Sequence, residues 1–346
     1  MKFVTGATGF TGAYFLYRLV QQNQKVRALK REKSSLSQTK LIFDYMAELE
    51  NKPEGYANEL LQKVEWVNAD ITDFADIDEA MNGVGEVYHC AALVTFQLSE
   101  KPLMEEVNIG GTARLIDLAL EKNVKKFVFV SSIAALPRKH GVTVDESFVE
   151  ERPAFSSPYS ETKYRSEMEV WRGKAEGLNV LVVNPGIILG PCEFSRDEGT
   201  AAFFNNIARG MPFYPQGGNA FVDVRDVVDK TLKLSELNDA WGHRYIMISQ
   251  NLPFKEVMSW IAKGIKRKPP AIKAKPWTGY LGYGMDRVRT LITGGNPRIT
   301  PSMIYTASQN FYYDNSRVKG LLNEDFMPVK RSIDDSCLFF LRQQNS

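Results

Sequence analysis

The sequence predicts an α/β protein: a doubly wound parallel sheet followed by a smaller mixed α/β domain. Three observations predict it. Strand-like and helix-like segments alternate through the first half of the chain, several strand-like runs are apolar at every position, and a glycine-rich turn joins the first strand to the first helix. The strands are expected at residues 2–5, 25–30, 64–68, 86–90, 126–130 and 180–184. The helices are expected at 11–22, where Leu16, Leu19 and Val20 form an apolar stripe, and at 76–81, 103–121 and 159–176. Continuous apolar runs such as Phe127-Val128-Phe129-Val130 and Val180-Leu181-Val182-Val183 suit strands covered on both faces, as in a parallel sheet.

After Pro185 the alternation breaks down into shorter elements separated by loops containing Pro212, Pro215, Gly217 and Gly218. The expected organisation is a first domain over 1–185, with a further strand contributed from near 221–249, and a substrate domain made mainly of 186–346. A basic, proline-bearing stretch at 263–275 leads into a helix-like segment at 277–292. Between the second and third strands, residues 34–62 read as an insertion of two short helices split by Pro53 and Gly55. A surface elaboration is expected there, ahead of a cover over a bound ligand.

Composition narrows the function classes. The chain has 346 residues, 44% hydrophobic and 24% charged, as in an ordinary globular enzyme. A formal net charge of +2 argues against nucleic acid or an anionic membrane as the main partner. No window approaches 18 uninterrupted apolar residues, so no transmembrane helix is expected. Met1 to Gly6 runs directly into the glycine-rich turn, and no signal peptide is expected. Cys90, Cys192 and Cys337 are too widely spaced for a disulfide framework, and His89, His140 and His243 too scattered for a metal site. A cytoplasmic location is the expectation.

The glycine-rich turn reads Thr5-Gly6-Ala7-Thr8-Gly9-Phe10-Thr11-Gly12, spaced G-x-x-G-x-x-G. Gly6 and Gly9 permit a tight turn and close approach of backbone to a pyrophosphate. Gly12 lets the helix pack near the strand, and the helix N-terminus supplies free N–H groups and a positive dipole. Gly6, Thr8, Gly9, Phe10, Thr11 and Gly12 are therefore candidate dinucleotide-binding residues. The tip of the second strand carries Lys30 and Arg31, with Glu32 after them. A guanidinium there binds a 2′-phosphate that a carboxylate would repel, so Arg31 predicts NADP over NAD; a register that brought Glu32 to the ribose would reverse this. Asp70 and Ile71, ending the third strand, are placed to meet an adenine. Ala91 and Ala92, after the fourth, are small enough for the cofactor to cross the sheet edge. Asn108 is a further candidate facing the cofactor. His89 reads as a packed core histidine rather than a base.

Ser131-Ser132 ends the fifth strand, and Tyr159-Ser160-Glu161-Thr162-Lys163 follows. Positions four apart share a helix face, so Tyr159 and Lys163 point into one space. A free tyrosine has a pKa near 10, and a nearby ammonium brings it into working range as an acid/base. A serine hydroxyl at a strand's carboxyl end polarises a substrate carbonyl. Ser132, Tyr159 and Lys163 are the candidate catalytic set.

With these motifs, and with Asn184-Pro185-Gly186, Phe221 to Val227 and Asp314-Asn315-Ser316, the chain resembles the extended short-chain dehydrogenase/reductases over nearly its whole length. Within them it is most similar to the dihydroflavonol reductase and 3β-hydroxysteroid dehydrogenase branch. The resemblance implies a Rossmann-type sheet, catalysis by Ser132, Tyr159 and Lys163, a bond from Lys163 to the nicotinamide ribose, and a nicotinamide pocket lined from Pro185 to Ile188. It selects Ser132 over Ser131 and suggests a homodimer formed through residues 103–121 and 159–176. Sugar-nucleotide epimerases and dehydratases of the family carry Val-Tyr-Gly shortly after the serines, whereas this chain has Ala134-Ala135-Leu136-Pro137. That departure favours a reductase of apolar or aromatic ketones or alcohols. An epimerase or dehydratase holding NAD tightly, and a non-catalytic nucleotide sensor on the same fold, are the alternatives. Phe96, Phe155, Phe203, Phe213, Tyr214 and Trp277 are candidates for an apolar substrate pocket, with core packing the plainer reading of each. For 263–275 and the aromatics beyond it, a solvated linker and a lid helix are expected ahead of contact with a membrane.

Overall fold

The central strands of the first half are apolar on both faces because they are sandwiched between two helical layers. A computed structural model describes residues 1–95, 97–138, 141–148, 157–197, 199–293 and 300–345. The first strands are β1 (Lys2–Thr5), β2 (Val26–Lys30), β3 (Glu65–Asn68), β4 (Glu86–His89) and β5 (Lys126–Val130). Then come a short β6 (Thr143–Val144), β7 (Val180–Pro185), β8 (Ile187–Leu189), β9 (Phe213–Pro215), β10 (Gly218–Asp223), β11 (Arg244–Met247), β12 (Gln250–Pro253), β13 (Ile272–Ala274) and β14 (Tyr312–Tyr313).

Seven strands form one parallel sheet in the order β11-β7-β5-β4-β1-β2-β3. Successive residues feed opposite layers. Val128 and Val130 of β5, with Leu181 and Val183 of β7, join one core, while Phe127, Phe129, Val180 and Val182 join the other. Each such fully buried side chain contributes about 2 kcal/mol by leaving water. The chain steps outward from β1 through β2 to β3, then returns to β4 on the other side of β1. The carboxyl ends of β1 and β4 therefore flank the point where strand order reverses, where open α/β sheets leave a crevice for a ligand.

The insertion forms the expected two helices, Ser37–Leu49 and Tyr56–Gln62, with Gly55 between them at φ +86°. It is more than a surface elaboration. Ile42, Phe43 and Met46 are fully buried in the same layer as helix Phe10–Gln21, and Phe43 meets Tyr17 edge-on at 5.2 Å between ring centroids. Thr39 donates to the Ala7 carbonyl at 3.2 Å, so the insertion also props the glycine-rich turn.

The helix expected at 103–121 is composite: Lys101–Glu105, a wider π turn at Glu106–Gly110, then Gly111–Glu121. A Cβ at Gly111 would stand 2.9 Å from the Ile71 side chain, so glycine is what lets this helix pass β3's end. A π turn slips the backbone ladder without altering the hydrophobic pattern that reveals a helix.

In the second half, β8, β10 and β12 form a mixed three-stranded sheet, and among the described residues only β11 of its strands joins the main sheet. Helices Gly199–Ala208, Phe254–Gly264 and Val329–Asn345 enclose a separate core in which Phe194 meets Phe204 at 4.8 Å and Phe340 at 5.1 Å. β14 pairs with β6, which brings the carboxyl-terminal half against the loop that follows Ser132.

Candidate active site

The crevice between β1 and β4 is lined by the glycine-rich turn. Gly6 has φ +68°, and a Cβ there would stand 2.7 Å from the Ala91 backbone nitrogen, so the two sides of the crevice touch only because this residue is glycine. A Cβ at Gly12 would stand 2.6 Å from the Gly6 carbonyl carbon and closer still to its oxygen. Helix Phe10–Gln21 starts with no capping side chain and no acidic residue in its first turn. Its positive end is therefore clear for an anion, with Thr8, Phe10 and Thr11 half-buried around it. Substituting Gly12→Ala is expected to destabilise the protein by about 3 kcal/mol, because the obstruction is backbone and cannot rotate away. Gly9→Ala, whose Cβ meets Gly6 O at 3.2 Å, serves as the milder comparison. Equal denaturation midpoints for the two variants would remove the close helix–turn contact from the account.

Arg31 is exposed just beyond β2, and Lys30 is tied across to the Asn68 side chain. Asp70 is half-buried and accepts from the Thr72 amide at 2.9 Å and its hydroxyl at 2.7 Å. Burial raises its carboxyl pKa, but those hydrogen bonds and the nearby Arg31 charge outweigh burial and hold it below the usual range. Arg31 and Asp70 thus share one end of the crevice, with Glu32 also exposed beside them. Ile71 is 7% exposed and packs against Gly111 in the core.

Ala91 and Ala92 are half-buried after β4, Pro185 is buried at the end of β7, and Ile188 is half-buried in β8. His89 is fully buried, with Nδ1 2.7 Å from Thr5 Oγ1 and Nε2 2.9 Å from Thr112 Oγ1. Burial, with a smaller contribution from Lys163, pushes its pKa down to about 3, so it is a neutral strut. Asn108 is 2% exposed rather than open to the surface. Its amide accepts from Leu93 N at 2.7 Å and donates to Leu93 O at 3.0 Å and Thr162 Oγ1 at 3.1 Å. The π turn aims this side chain inward, where it fastens the segment after β4 to helix Pro158–Ala175.

The two serines at the end of β5 face different ways. Ser131 donates to the Glu167 carboxylate at 2.6 Å. Ser132 caps a short 3₁₀ turn, Ile133–Ala135, accepting from Ala134 N at 3.1 Å, and its hydroxyl is near enough to Tyr159 to favour the phenolate. Helix Pro158–Ala175 begins where Ser157 and Ser160 form a reciprocal cap and Pro158 occupies the first turn, so Tyr159 sits in a fixed helical start. Burial pushes the Tyr159 phenol up to about 12, against the pull of the Ser132 hydroxyl and the Arg138 guanidinium. One turn on, Lys163 is 2% exposed, donates to Val130 O at 3.0 Å and lies 4.5 Å from the Phe129 ring centroid. Burial pushes its pKa down to about 8, opposed by Glu167 and Cys90. The cation that lowers the phenol here is Arg138, while the ammonium is turned to Val130.

Glu167 and Arg138 escaped the sequence reading. Glu167 is 1% exposed and accepts from Ser131, from Asn184 at 2.9 Å and from Trp171 at 3.2 Å, and it pairs with Arg244 at 2.9 Å. It sits four residues beyond Lys163, and that continued spacing was its one legible signal. Arg138 has none, because its neighbour Phe311, with a ring centroid 5.4 Å from the guanidinium carbon, arrives from the far end of the chain.

The pocket aromatics are dispersed. Phe203 stacks on Phe254 at 6.3 Å, Tyr214 lies under Lys255, Phe213 and Trp277 are exposed, and Phe96 and Phe155 lie outside the described residues.

The sequence profile of the NAD-dependent epimerase/dehydratase family matches residues 3–247. The chain belongs to this family. It is an NAD(P)-dependent enzyme of the dehydrogenase/reductase type. A Synechocystis protein provisionally named dihydroflavonol 4-reductase is 25% identical over 98% of this chain and 94% of its own length. Cinnamoyl-CoA reductase 1 of Petunia hybrida is 25% identical over 95% of this chain and 89% of its own. Among solved structures, gox2253 is 26% identical with a TM-score of 0.78, covering 99% of this chain and 98% of its own. UDP-glucose 4-epimerase of Thermotoga maritima, 18% identical with a TM-score of 0.75 and 99% of both chains covered, shares the fold.

Proposed function

We propose that this family member is an NADP-dependent reductase or dehydrogenase acting on a small apolar or aromatic carbonyl or alcohol. The observation that carries the reading is Tyr159 standing by Ser132, whose hydroxyl pulls the phenol pKa down, beside a crevice whose glycine-rich turn leaves a helix N-terminus clear. The relatives named as dihydroflavonol and cinnamoyl-CoA reductases support the substrate class.

The crevice fits a dinucleotide. The amides of 9–12 would receive its pyrophosphate, Asp70 its adenine end, and Pro185 and Ile188 would border the nicotinamide. When bound, that group supplies the hydride to a carbonyl carbon or takes it from an alcohol. Ser132 donates a hydrogen bond to the substrate oxygen and holds it against Tyr159. In reduction, the Tyr159 hydroxyl gives its proton to that oxygen as the carbonyl becomes an alcohol; in oxidation the same proton returns. Lys163, turned from Val130 toward the ribose, would hold the cofactor and favour tyrosinate.

Calorimetric titration with NADP and with NAD tests the cofactor. NADP is expected to bind more tightly, and Arg31→Glu to weaken NADP by about 10–100-fold, the range of a lost charge-assisted hydrogen bond, with little change for NAD. Tighter NAD binding in the unaltered protein, or NAD retained through purification, would overturn NADP specificity and favour an epimerase or dehydratase.

A further inference from the structure

Among the described residues, helix Pro276–Thr293 leaves one apolar face exposed. Trp277, Leu281 and Met285 are 64%, 60% and 68% exposed, and Tyr280 is 51% exposed beside them. Positions 277, 281 and 285 are one helical turn apart, a stripe about 12 Å long at 1.5 Å per residue. The opposite side of the helix is the one that packs. Gly279 lies against Ile304, where a Cβ would come within 3.0 Å, and Asp286 is buried and paired with Arg289. The strand leading into the helix exposes Ile272, whose cross-strand neighbour Phe213 is exposed as well.

Charge is concentrated at the same place. Lys263, Lys266, Arg267, Lys268, Lys273 and Lys275 are all exposed, with no acidic residue among them. With Arg287 and Arg289 set against Asp286, residues 263–293 carry eight basic and one acidic group, a net of +7. The whole chain is only +2, so the remainder is net −5 and the cationic region is local. The sequence alone favours a solvated linker and a lid helix; the solvent-facing stripe is what points to a surface instead.

We propose that this region docks on the surface of an anionic lipid bilayer, with Trp277, Leu281 and Met285 at the acyl boundary and the cations of 263–275 against lipid phosphates. An exposed aromatic and aliphatic stripe rimmed by Lys and Arg is the pattern of a helix lying in the plane of the interface. No helix among the described residues is long and apolar enough to cross a membrane, so the contact is peripheral. The site shares no residue with the crevice, and its test does not depend on the reaction proposed above.

The test is flotation of the full chain with vesicles of phosphatidylcholine alone and of phosphatidylcholine and phosphatidylglycerol in equal parts. Binding is expected to the mixed vesicles only, weakened about tenfold or more by Lys273→Glu with Lys275→Glu, and likewise by Trp277→Ser with Leu281→Ser. Thermal midpoints of both variants should match the unaltered protein. Fluorescence of the unaltered chain should be quenched by brominated acyl chains, and that quenching should be absent in Trp277→Phe. Failure to float with mixed vesicles, or equal binding by the variants, would overturn the proposal. So would a dimer, seen by light scattering, that Trp277→Ser dissociates, because the stripe would then be covered by a second copy.

Discussion

Replacing Tyr159 with phenylalanine is expected to lower kcat by about 10²–10⁴-fold, the range attributed to a positioned acid/base, while dinucleotide affinity changes by less than about threefold. The phenol pKa, pushed up to about 12 by burial, keeps the proton on the oxygen at neutral pH, ready to be given to a substrate carbonyl. Phenylalanine keeps the ring and removes that proton. The helix start should be undisturbed, since the Ser157–Ser160 cap and Pro158 hold it without the hydroxyl. Ser132 would keep its bond from Ala134 N. Because the interaction belongs to the reaction rather than to ground-state binding, kcat and kcat/KM should fall together. Steady-state kinetics on any accepted ketone decides it; most of the turnover surviving would place the proton donor elsewhere.

Lys163→Met is expected to remove most turnover and at the same time to stabilise the cofactor-free protein. Burial pushes the ammonium from 10.5 to about 8, so the folded state holds this charge less readily than the unfolded chain does. Below pH 8 both states are protonated and the full penalty of burying the charge is present, about 3 kcal/mol. Between pH 8 and 10.5 the unfolded chain binds a proton that the folded protein has released, so stability rises with pH across that window. Methionine carries no charge to bury. It should raise unfolding stability at pH 7 by about 1–3 kcal/mol, after loss of the bond to Val130 O and the contact with Phe129, and the gain should shrink as pH climbs from 8 toward 10.5. Denaturant titrations of both proteins at pH 7 and pH 10 measure the difference. A variant less stable by the same amount at both values would make Lys163 a structural tie whose charge has no part in the pH response.

The parallel sheet, the glycine-rich turn and the shared helix face of Tyr159 and Lys163 are legible in the sequence, because each is a local property. A strand covered on both faces must be apolar throughout, as Phe127 to Val130 are. A backbone that touches backbone at Gly6 and Gly12 excludes every side chain, and an interval of four on a helix fixes a shared face whatever surrounds it. Tertiary structure decided what depends on residues distant in the chain. Ser131 and Ser132 are chemically alike in sequence; adjacent strand positions point apart, and Glu167 takes the first because Asn184 and Arg244 hold its carboxylate beside β5. The insertion's Ile42 and Phe43 became core only by meeting helix Phe10–Gln21. Asn108 was turned inward by a π turn that leaves no mark on hydrophobic spacing. Arg138 reached the neighbourhood of Tyr159, and Trp277 stayed in solvent, through packing between segments that no local pattern connects.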